Sequence, residues 1–310
     1  MRVLLVNAFH YPRGGVERAY LDESRWLAAA GHEVAHFAIR DPRNLESPTA
    51  RYFAPAADYG ERAPVGRLLA QLPRAIWSAP AAHAMDDLLD AWKPDVAHVH
   101  APSRYLTPAV MRTLERRGVP MVMTLHDFKP WCTNRVMFAK GGPCLRCRGG
   151  AHWHAAAVAC VQGSRARSVV GALEAYVHDA RGAYRGIRGW IAPSRFARDR
   201  AVALGLDPAR VTVIPHGIEA AAAEQAPASI TPPAEPYLLY AGRLSVEKGV
   251  RLLPAIAARV APAVVVVAGD GPLRAVLERA AAEVPNMHLV GHLAPPDLAR
   301  LLAGARAAIG

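Results

Sequence analysis

Arg2–Phe9, with the sequence RVLLVNAF, is a short apolar run that ends in a polar loop. Apolar residues at helical spacing follow from Gly15 to Ala30, and Gly31 marks the expected end of that helix. The same order of strand, loop and helix then recurs along the chain. This alternation predicts an α/β fold with parallel sheets, because a helix that joins two parallel strands must cross the face of the sheet.

Five later runs are predicted as further strands of the first half, with helices expected at about Ala81–Trp92 and Thr107–Arg117. Because ligands of open α/β sheets bind outside the carboxyl ends of the strands, the loops after these strands are the first places to look for a site. The five runs are HEVAHFAI (His32–Ile39), DVAHVHA (Asp95–Ala101), VPMVMTLHD (Val119–Asp127), GWIAPS (Gly189–Ser194) and RVTVIPHG (Arg210–Gly217).

Glu219–Pro236 loses periodicity and collects Ala and Pro, which indicates a connection between two domains, 1–219 and 220–310. A second α/β series follows, with helices expected at about Val250–Val260 and Leu273–Glu283. The chain stops at ARAAIG, which reads as the start of another strand, so we expect the second domain to be incomplete. The predicted strands of this series are PYLLYAG (Pro236–Gly242), AVVVVAGDG (Ala263–Gly271) and MHLVGHL (Met287–Leu293).

The 310 residues are 52% hydrophobic, which is enough for two cores of ordinary size. The most hydrophobic run, AVVVVA at Ala263–Ala268, is far shorter than the roughly 20 residues that span a bilayer. The amino-terminal residues are predicted to form a strand rather than a signal peptide. We therefore expect a cytoplasmic protein.

The net charge of +11 is unevenly distributed. Residues 1–219 hold 29 Lys and Arg against 19 Asp and Glu, whereas residues 220–310 hold 8 against 7. Such a field attracts phosphorylated substrates or an anionic membrane surface, although arginines spread over a solvated surface give the same count. No nucleic-acid partner is expected, because the chain has no aromatic-basic ribonucleoprotein signature, no recognition-helix pattern and no basic tail.

Tyr240–Gly249, YAGRLSVEKG, places two cations after a predicted strand and at the expected start of a helix. Arg243 offers a planar fork of donors, and Lys248 offers a compact ammonium group. Amides at a helix start also favour negative charge. A diphosphate would satisfy all of these groups, but the spacing alone equally allows ion pairs with Glu247 or other surface carboxylates.

Seven stretches occur in an order and spacing that resemble the retaining enzymes of glycosyltransferase family 4. The resemblance covers nearly the whole chain. It implies the GT-B architecture, in which two Rossmann-like domains with parallel sheets face each other across a cleft, and transfer of a sugar from a UDP- or GDP-linked donor. The stretches are FHYPRGGVER (Phe9–Arg18), TLHD (Thr124–Asp127), APSRFARD (Ala192–Asp199), VIPHGIE (Val213–Glu219), YAGRLSVEKG, AGDGPLR (Ala268–Arg274) and LVGHL (Leu289–Leu293).

By this resemblance Arg243 and Lys248 grip the donor diphosphate, and His126 lies near the transferred sugar. The first domain is then the acceptor side and the second the nucleotide-sugar side. Two other histidines, His100 and His216, follow equivalent strands and are weaker candidates for lining the cleft. The remaining donor-binding positions implied are Gly14, Gly15, Gly269, Gly271, Val290, Gly291 and His292. No catalytic metal is expected, because protein cations take that role in GT-B enzymes.

One departure bears on activity. The family's later carboxylate pair, Glu-x7-Glu or a variant, would fall beyond Gly310, so the sequence is expected to be part of a longer enzyme or a degenerate, noncatalytic nucleotide-sugar-binding protein. A dinucleotide-dependent oxidoreductase is disfavoured, because no G-x-G-x-x-G opens either domain.

All four cysteines, Cys132, Cys144, Cys147 and Cys160, fall within a predicted insertion at about residues 130–160. A C-x2-C pair with two flanking thiols predicts a structural four-cysteine zinc site, and the same ligands suit an iron–sulfur cluster. His152 or His154 could replace one ligand. Free buried thiols are the alternative, and disulfides fit a reducing cytoplasm poorly.

The acceptor is the least determined partner. A basic first domain suits a phosphorylated or lipid-linked acceptor at the inner face of the membrane. Val65–Trp77 mixes arginines with large apolar residues, as an interfacial helix would, although a helix facing the protein core gives the same pattern.

Overall fold

The computed structural model describes residues 1–56, 65–217 and 229–309, with only the backbone described for residues 65–70. The chain forms two compact units, Met1–Gly217 and Ile218–Gly310. The division lies close to the expected boundary between residues 219 and 220. Most of the connection at Glu219–Pro236 lies outside the described residues.

Unit 1 is built on a six-stranded sheet in the order β2-β1-β3-β4-β7-β8, and every neighbouring pair is parallel. The order reverses between β1 and β3, which is where doubly wound sheets bind their ligands. The strands of unit 1 are β1 (Arg2–Val6), β2 (Glu33–Phe37), β3 (Val96–Val99), β4 (Met121–Thr124), β5 (Phe138–Ala139), β6 (Gly142–Pro143), β7 (Ile187–Ala192) and β8 (Val211–Val213).

Both faces of this sheet are covered, which explains why its strands are almost continuously apolar. Leu4 and Val6 of β1 join the large core on one face, and Val3 and Leu5 pack with Tyr20 on the other. The helices of unit 1 are α1 (Gly15–Ala29), α2 (Val65–Ile76), α3 (Ala79–Ala91), α4 (Ser103–Leu106), α5 (Ala109–Arg116), α6 (His154–Val158), α7 (Arg165–Ala180) and α8 (Arg195–Ala203).

Local sequence accounts for most helix boundaries. Gly31, with a φ of +82°, follows the end of α1 as expected. Ser78, Ser164 and Ser194 cap α3, α7 and α8 by accepting a backbone N–H. The single helix expected at about Thr107–Arg117 begins later, at Ala109, because Pro108 cannot continue a preceding turn and Thr107 adopts a φ of +56°.

The cysteine-rich insertion lies between β4 and β7 and packs on α7. Its regular structure is limited to the antiparallel pair β5–β6, the short helix α6 and one turn of 3-10 helix. Gly171 of α7 permits the contact, because a Cβ there would lie 2.7 Å from Thr133 Cγ2. His152 Nε2 and Asp179 Oδ2 of α7, 2.8 Å apart, form a further link.

Unit 2 contains a four-stranded parallel sheet in the order β11-β10-β9-β12. This order reverses between β9 and β12, so the loop after β9 lies at the expected ligand edge. The elements are β9 (Tyr237–Ala241), α9 (Leu253–Val260), β10 (Val264–Ala268), α10 (Arg274–Glu283), β11 (Met287–Gly291), α11 (Pro295–Gly304) and β12 (Ala307–Ile309).

The two faces of the unit 2 sheet bury separate clusters. Val265 and Val267 of β10 pack with residues of α9 and α10, whereas Val266 packs with Leu301 of α11. Successive valines of β10 therefore point to opposite faces of the sheet and fill the cores on both sides. Among the described residues, no helix is long and apolar enough to cross a membrane.

Candidate functional site

The loop after β9 carries Arg243 and Lys248, and both side chains are exposed. The helix expected at about Val250–Val260 is present, but its first turn is 3-10 and not α-helical. Val246–Lys248 and Val250–Leu252 are single turns of 3-10 helix, and α9 begins only at Leu253. The reason is Pro254, which is tolerated in the first turn of an α-helix but would clash in the interior of a longer one. The two cations therefore lie on a loop ahead of the helix.

Glu247 is the carboxylate nearest to this pair in sequence. Its carboxylate accepts a hydrogen bond from Ser245 Oγ at 2.6 Å. Although partial burial acts in the opposite direction, that hydrogen bond and the charges of Arg243 and Lys248 lower the pKa of Glu247. The described ion pairs of unit 2 belong to Arg274, and neither Arg243 nor Lys248 pairs with a carboxylate in the described part of the chain. Both cations are thus open to an external anion.

Backbone hydrogen bonds join the loops at the carboxyl ends of β9, β10 and β11. Leu244 N–H donates to Asp270 O at 2.9 Å, and Gly269 N–H donates to Gly291 O at 2.7 Å. Gly242 N–H donates to Ala268 O at 3.0 Å. The loop with the cations is therefore fixed against the loop after β10, which is in turn bonded to the end of β11, and this limits the reorganisation needed to bind a ligand.

Close backbone packing explains why two of the predicted donor-binding positions are glycine. A Cβ on Gly269 would lie 1.9 Å from Gly242 O, and one on Gly271 would lie 2.5 Å from Leu244 O. Both residues also have φ values in the left-handed region, +145° and +158°. Both glycines of GDG are thus required by the loop contacts themselves.

The predicted positions after β11 differ in exposure. Val290 is partly buried and packs against the cluster around Leu301. His292 is exposed. Gly291 has a φ of +75° and turns the chain at the end of the strand. Of these three residues, only His292 presents a polar side chain at this edge.

Gly14 and Gly15 lie at the start of α1, after β1. Neither has a left-handed φ, so a strained turn does not account for them. A Cβ on Gly15 would have no atom within 4 Å, and one on Gly14 would meet only Glu17 Oε2, at 3.5 Å. The two glycines leave an open surface at a helix start, at the carboxyl edge of the unit 1 sheet.

His126 follows β4 and belongs to a row of imidazoles at that edge. Its Nε2 lies 3.0 Å from His100 Nδ1, and its ring stacks on His216 with centroids 5.1 Å apart. Burial lowers the pKa of His126 to about 3, with added effects from His216 and His98. Burial, with neighbouring histidines, also holds the pKa of His100 well below its usual range. The structure therefore brings together His100, His126 and His216, the three histidines that the sequence analysis proposed.

Glu23 of α1 and His98 of β3 extend this row. His98 Nδ1 is hydrogen-bonded to the Glu23 carboxylate, and its Nε2 lies 2.8 Å from Thr124 Oγ1. Glu23, His98 and His100 present ligand atoms within 4.8 Å of one another, an arrangement that could hold a metal ion. Both ring nitrogens of His98 already have hydrogen-bond partners, whereas His100 Nε2 is buried without one and lies 3.5 Å from Glu23 Oε2.

His126 lines a small open pocket in unit 1. An ion pair forms part of its wall, with Lys129 Nζ 2.8 Å from Glu174 Oε2 and both side chains largely buried. Burial alone would raise the pKa of Glu174, but the charge and hydrogen bond of Lys129 outweigh it and lower that pKa. The pocket is thus polar on one wall, where it also contains Asp127 and Arg135.

The four cysteines line one separate pocket, and all are free thiols. Burial raises the pKa of the Cys160 thiol to about 11, with contributions from the other three cysteines. A hydrogen bond to Asp179, together with Cys147, raises the pKa of His152 to about 9. The four thiols thus share one pocket, although no three of their sulfur atoms lie within 4.8 Å of one another, and His154 stacks on Trp153.

The described end of α2 packs inward. Ile76 is buried, and its carbonyl accepts a hydrogen bond from His178 Nε2 at 2.9 Å. Arg181 lies over the Trp77 ring. Arg74 donates to the carbonyl of Pro55 at 2.7 Å. These contacts are those of a core-facing helix, while Arg67, Leu68 and Leu69 of the predicted interfacial pattern lie outside the residues whose side chains are described.

Several residues near this site were not singled out from the sequence. The H-x-H of DVAHVHA could have indicated His98, because alternate residues of a strand share a face. Glu23 and Glu174 gave no local signal, because their partners lie far away in the chain. His10 was likewise not singled out; its Nδ1 lies 2.8 Å from Oη of Tyr20, whose ring contacts His100.

Two parallel α/β units, each with its candidate residues at the carboxyl edge of the sheet, define the GT-B class of glycosyltransferase. Residues 13–222 match the profile described as "Glycosyltransferase Family 4", and residues 235–309 match "Glycosyl transferases group 1". The chain belongs to glycosyltransferase family 4. No curated protein sequence matches it.

Solved structures agree on the fold. Sucrose-phosphate synthase from Thermosynechococcus elongatus is 17% identical with a TM-score of 0.63, over 99% of this chain and 74% of that one. Anabaena HepE, solved in complex with UDP and glucose, is 14% identical with a TM-score of 0.59, over 99% and 73%. A glycosyltransferase from Rickettsia africae is 14% identical with a TM-score of 0.57, over 100% and 72%.

Proposed function

We propose that this protein transfers a sugar from a UDP- or GDP-linked donor to an acceptor, with retention of anomeric configuration. The observation that carries the proposal is the exposed pair Arg243 and Lys248, which has no carboxylate ion-pair partner among the described residues and lies on the loop after β9. Membership of glycosyltransferase family 4 supports the class of reaction and its retaining outcome.

Arg243 and Lys248 are proposed to hold the donor diphosphate. Negative charge grows on the leaving phosphate during transfer, and fixed cations stabilise it more in the transition state than in the ground state. Because these residues supply the positive charge, the proposal needs no catalytic metal. The rigid contacts of the loop favour this role, since they limit reorganisation during the reaction.

The nucleotide is proposed to lie along the loops after β10 and β11, at Gly269, Gly271 and Val290–His292. Backbone groups would supply most contacts there, because His292 is the only polar side chain of the set. HepE, a structural neighbour, was solved with UDP, which favours UDP as the first donor to test.

His126 is proposed to contact the transferred sugar, and the pocket beside it to receive part of the acceptor. With a pKa of about 3, the imidazole is neutral at physiological pH and would act as a hydrogen-bond partner. Gly14 and Gly15 are proposed to let backbone amides approach donor or acceptor. A phosphorylated or lipid-linked acceptor at the inner face of the membrane suits the excess of Lys and Arg in residues 1–219.

Calorimetric titration of the chain with UDP and GDP tests the donor site. We expect saturable binding of one nucleotide and a loss of about 1.5–3 kcal/mol in Lys248→Ala, as for a charge-assisted contact. Arg259→Ala removes an exposed cation from α9 and serves as the matched control. Failure of a well-folded chain to bind either nucleotide, or equal losses in both variants, would contradict the proposal.

The alternative from the sequence is a noncatalytic nucleotide-sugar-binding protein. The two functions differ in turnover and not in binding. Release of free UDP from UDP-sugars, measured with a candidate glycolipid acceptor, supports transfer. Tight binding in the absence of any release would favour the binding protein.

A further inference from the structure

The cysteine pocket has features that a set of free thiols does not need. Its wall contains all four cysteines of the chain, together with Trp131, Asn134, Met137 and Leu204. The thiols come from three separate parts of the insertion, before β5, after β6 and after α6. Their convergence cannot follow from local sequence and must be specified by the fold of the insertion.

The insertion contains little regular secondary structure. Its strands β5 and β6 are two residues each. Four of its residues other than glycine adopt a positive φ, a conformation that costs free energy and persists only where other contacts enforce it. These residues are Arg135, Met137, Lys140 and Ala159. A short segment with so little regular structure is commonly stabilised by a cross-link or a metal ion.

Cys144 and Cys147 follow the β5–β6 hairpin directly. Cys144 N–H donates to Met137 O at 2.8 Å, across the hairpin, and Cys147 immediately precedes a turn of 3-10 helix. A C-x2-C pair on the turn after a short antiparallel pair is the usual arrangement of half of a structural zinc site. Cys132 and Cys160 supply the other two thiols.

His152 gives an independent indication. It is only 3% exposed, and its Nδ1 is buried without a hydrogen-bond partner. Its Nε2 is fixed by Asp179 Oδ2 at 2.8 Å, and Cys147 is an electrostatic neighbour of the ring. A buried polar nitrogen without a partner is costly. A thiolate at Cys147 would accept the Nδ1–H hydrogen bond, as groups around metal-bound thiolates commonly do.

We propose that Cys132, Cys144, Cys147 and Cys160 bind one structural Zn²⁺ as four thiolates, and that His152 positions Cys147 by donating a hydrogen bond to its sulfur. Binding releases the thiol protons to solvent, and no electron transfer is involved. The ion would fix the insertion against α7, which carries Asp179 and the Glu174 partner of Lys129. The site is structural, because no open coordination position remains for a substrate.

Elemental analysis of the full chain, purified without chelators or a polyhistidine tag, is the first test. We expect about one zinc and negligible iron per chain. Removal of the metal by a chelator should lower the melting temperature and expose the insertion to protease, and added Zn²⁺ should restore both. Four freely titratable thiols with no bound zinc, or iron with acid-labile sulfide, would overturn the proposal.

Single variants separate the roles of the histidines without depending on cysteine variants that fail to fold. His152→Ala should weaken zinc affinity by about 10–100-fold in competition with a chromophoric chelator, the usual effect of losing such a neighbour. His154→Ala is the matched control and should retain wild-type affinity. Cobalt substitution reports the ligands, and a spectrum of three thiolates and one imidazole would overturn the four-thiolate assignment.

Discussion

His126 Nε2 and His100 Nδ1 lie 3.0 Å apart at the carboxyl edge of the unit 1 sheet, joining the loops after β4 and β3. The other face of His126 stacks on His216, which follows β8, with ring planes 11° apart. This contact holds His126 in one orientation on the wall of the pocket. A side chain fixed in this way loses little entropy when it contacts a ligand.

The first prediction concerns His126 in the proposed reaction. We expect His126→Ala to lower kcat on the order of 100-fold, as for loss of one preorganised hydrogen-bond partner, and to leave UDP affinity nearly unchanged. Steady-state kinetics and calorimetry of the same preparation measure the two effects. A variant that loses UDP affinity in proportion to kcat would place His126 in nucleotide binding instead.

The second prediction is a loss of stability on acidification. The pKa values of His126 and His36 are lowered to about 3, mainly by burial, so between about pH 6.5 and 3 the unfolded chain binds protons that the folded chain does not. Stability should therefore fall as the pH falls through this range. Each such histidine contributes up to about 1.4 kcal/mol per pH unit.

Variants show which histidine causes the dependence of the unfolding free energy on pH. His126→Gln should flatten the dependence of unfolding free energy on pH, measured by urea titration at several pH values. His288→Gln, at an exposed position of β11, is the control and should keep the wild-type slope. Identical slopes in all three proteins would show that His126 is not held neutral by the fold.

The third prediction concerns Lys129 and Glu174, whose side chains are 14% and 17% exposed. Lys129→Met should destabilise unit 1 by about 2–4 kcal/mol, because a largely buried carboxylate loses its partner. The loss should shrink at low pH, where Glu174 becomes protonated. Lys129→Met combined with Glu174→Leu should recover most of the stability. No recovery in that double variant would argue against the pair as the cause.

The fourth prediction compares two glycines. Gly269→Ala should lower the stability of unit 2 by about 2–4 kcal/mol and abolish nucleotide binding, since the new Cβ would overlap Gly242 O. Gly15→Ala has open space around its Cβ and should stay within about 1 kcal/mol of wild type. Thermal melting checks both. A Gly15→Ala variant with full stability and reduced activity would support the proposed ligand contact at that glycine.

Much of the fold was predictable from local pattern. The apolar runs at Arg2–Phe9 and Ala263–Gly271 contain β1 and β10, and Gly31 follows α1 where expected. The α-helical part of the segment predicted at Val250–Val260 begins later, at Leu253, because Pro254 is tolerated only in the first turn of an α-helix. The helix predicted at about Thr107–Arg117 likewise begins later, at Ala109, because Pro108 cannot lie inside a helical turn that begins before it.

Only some residues of the candidate site could be predicted from the sequence. His126, Arg243 and Lys248 could be proposed because each follows a strand, and parallel strands all end at one edge of their sheet. The ion pair of Lys129 with Glu174 could not be proposed, because its partners are brought together only when α7 packs beside the loop after β4. The same holds for the hydrogen bond between His98 and Glu23.

The sequence by itself determined the alternation of strands and helices, the family and the residue types at the strand ends. These depend on interactions within a few residues, such as helical spacing, caps and the backbone limits of proline. Only the tertiary structure decided which side chains touch, which histidines are buried enough to stay neutral, and that four distant thiols share one pocket. Burial and contact between distant segments depend on how helices and loops pack, and local sequence does not encode that packing.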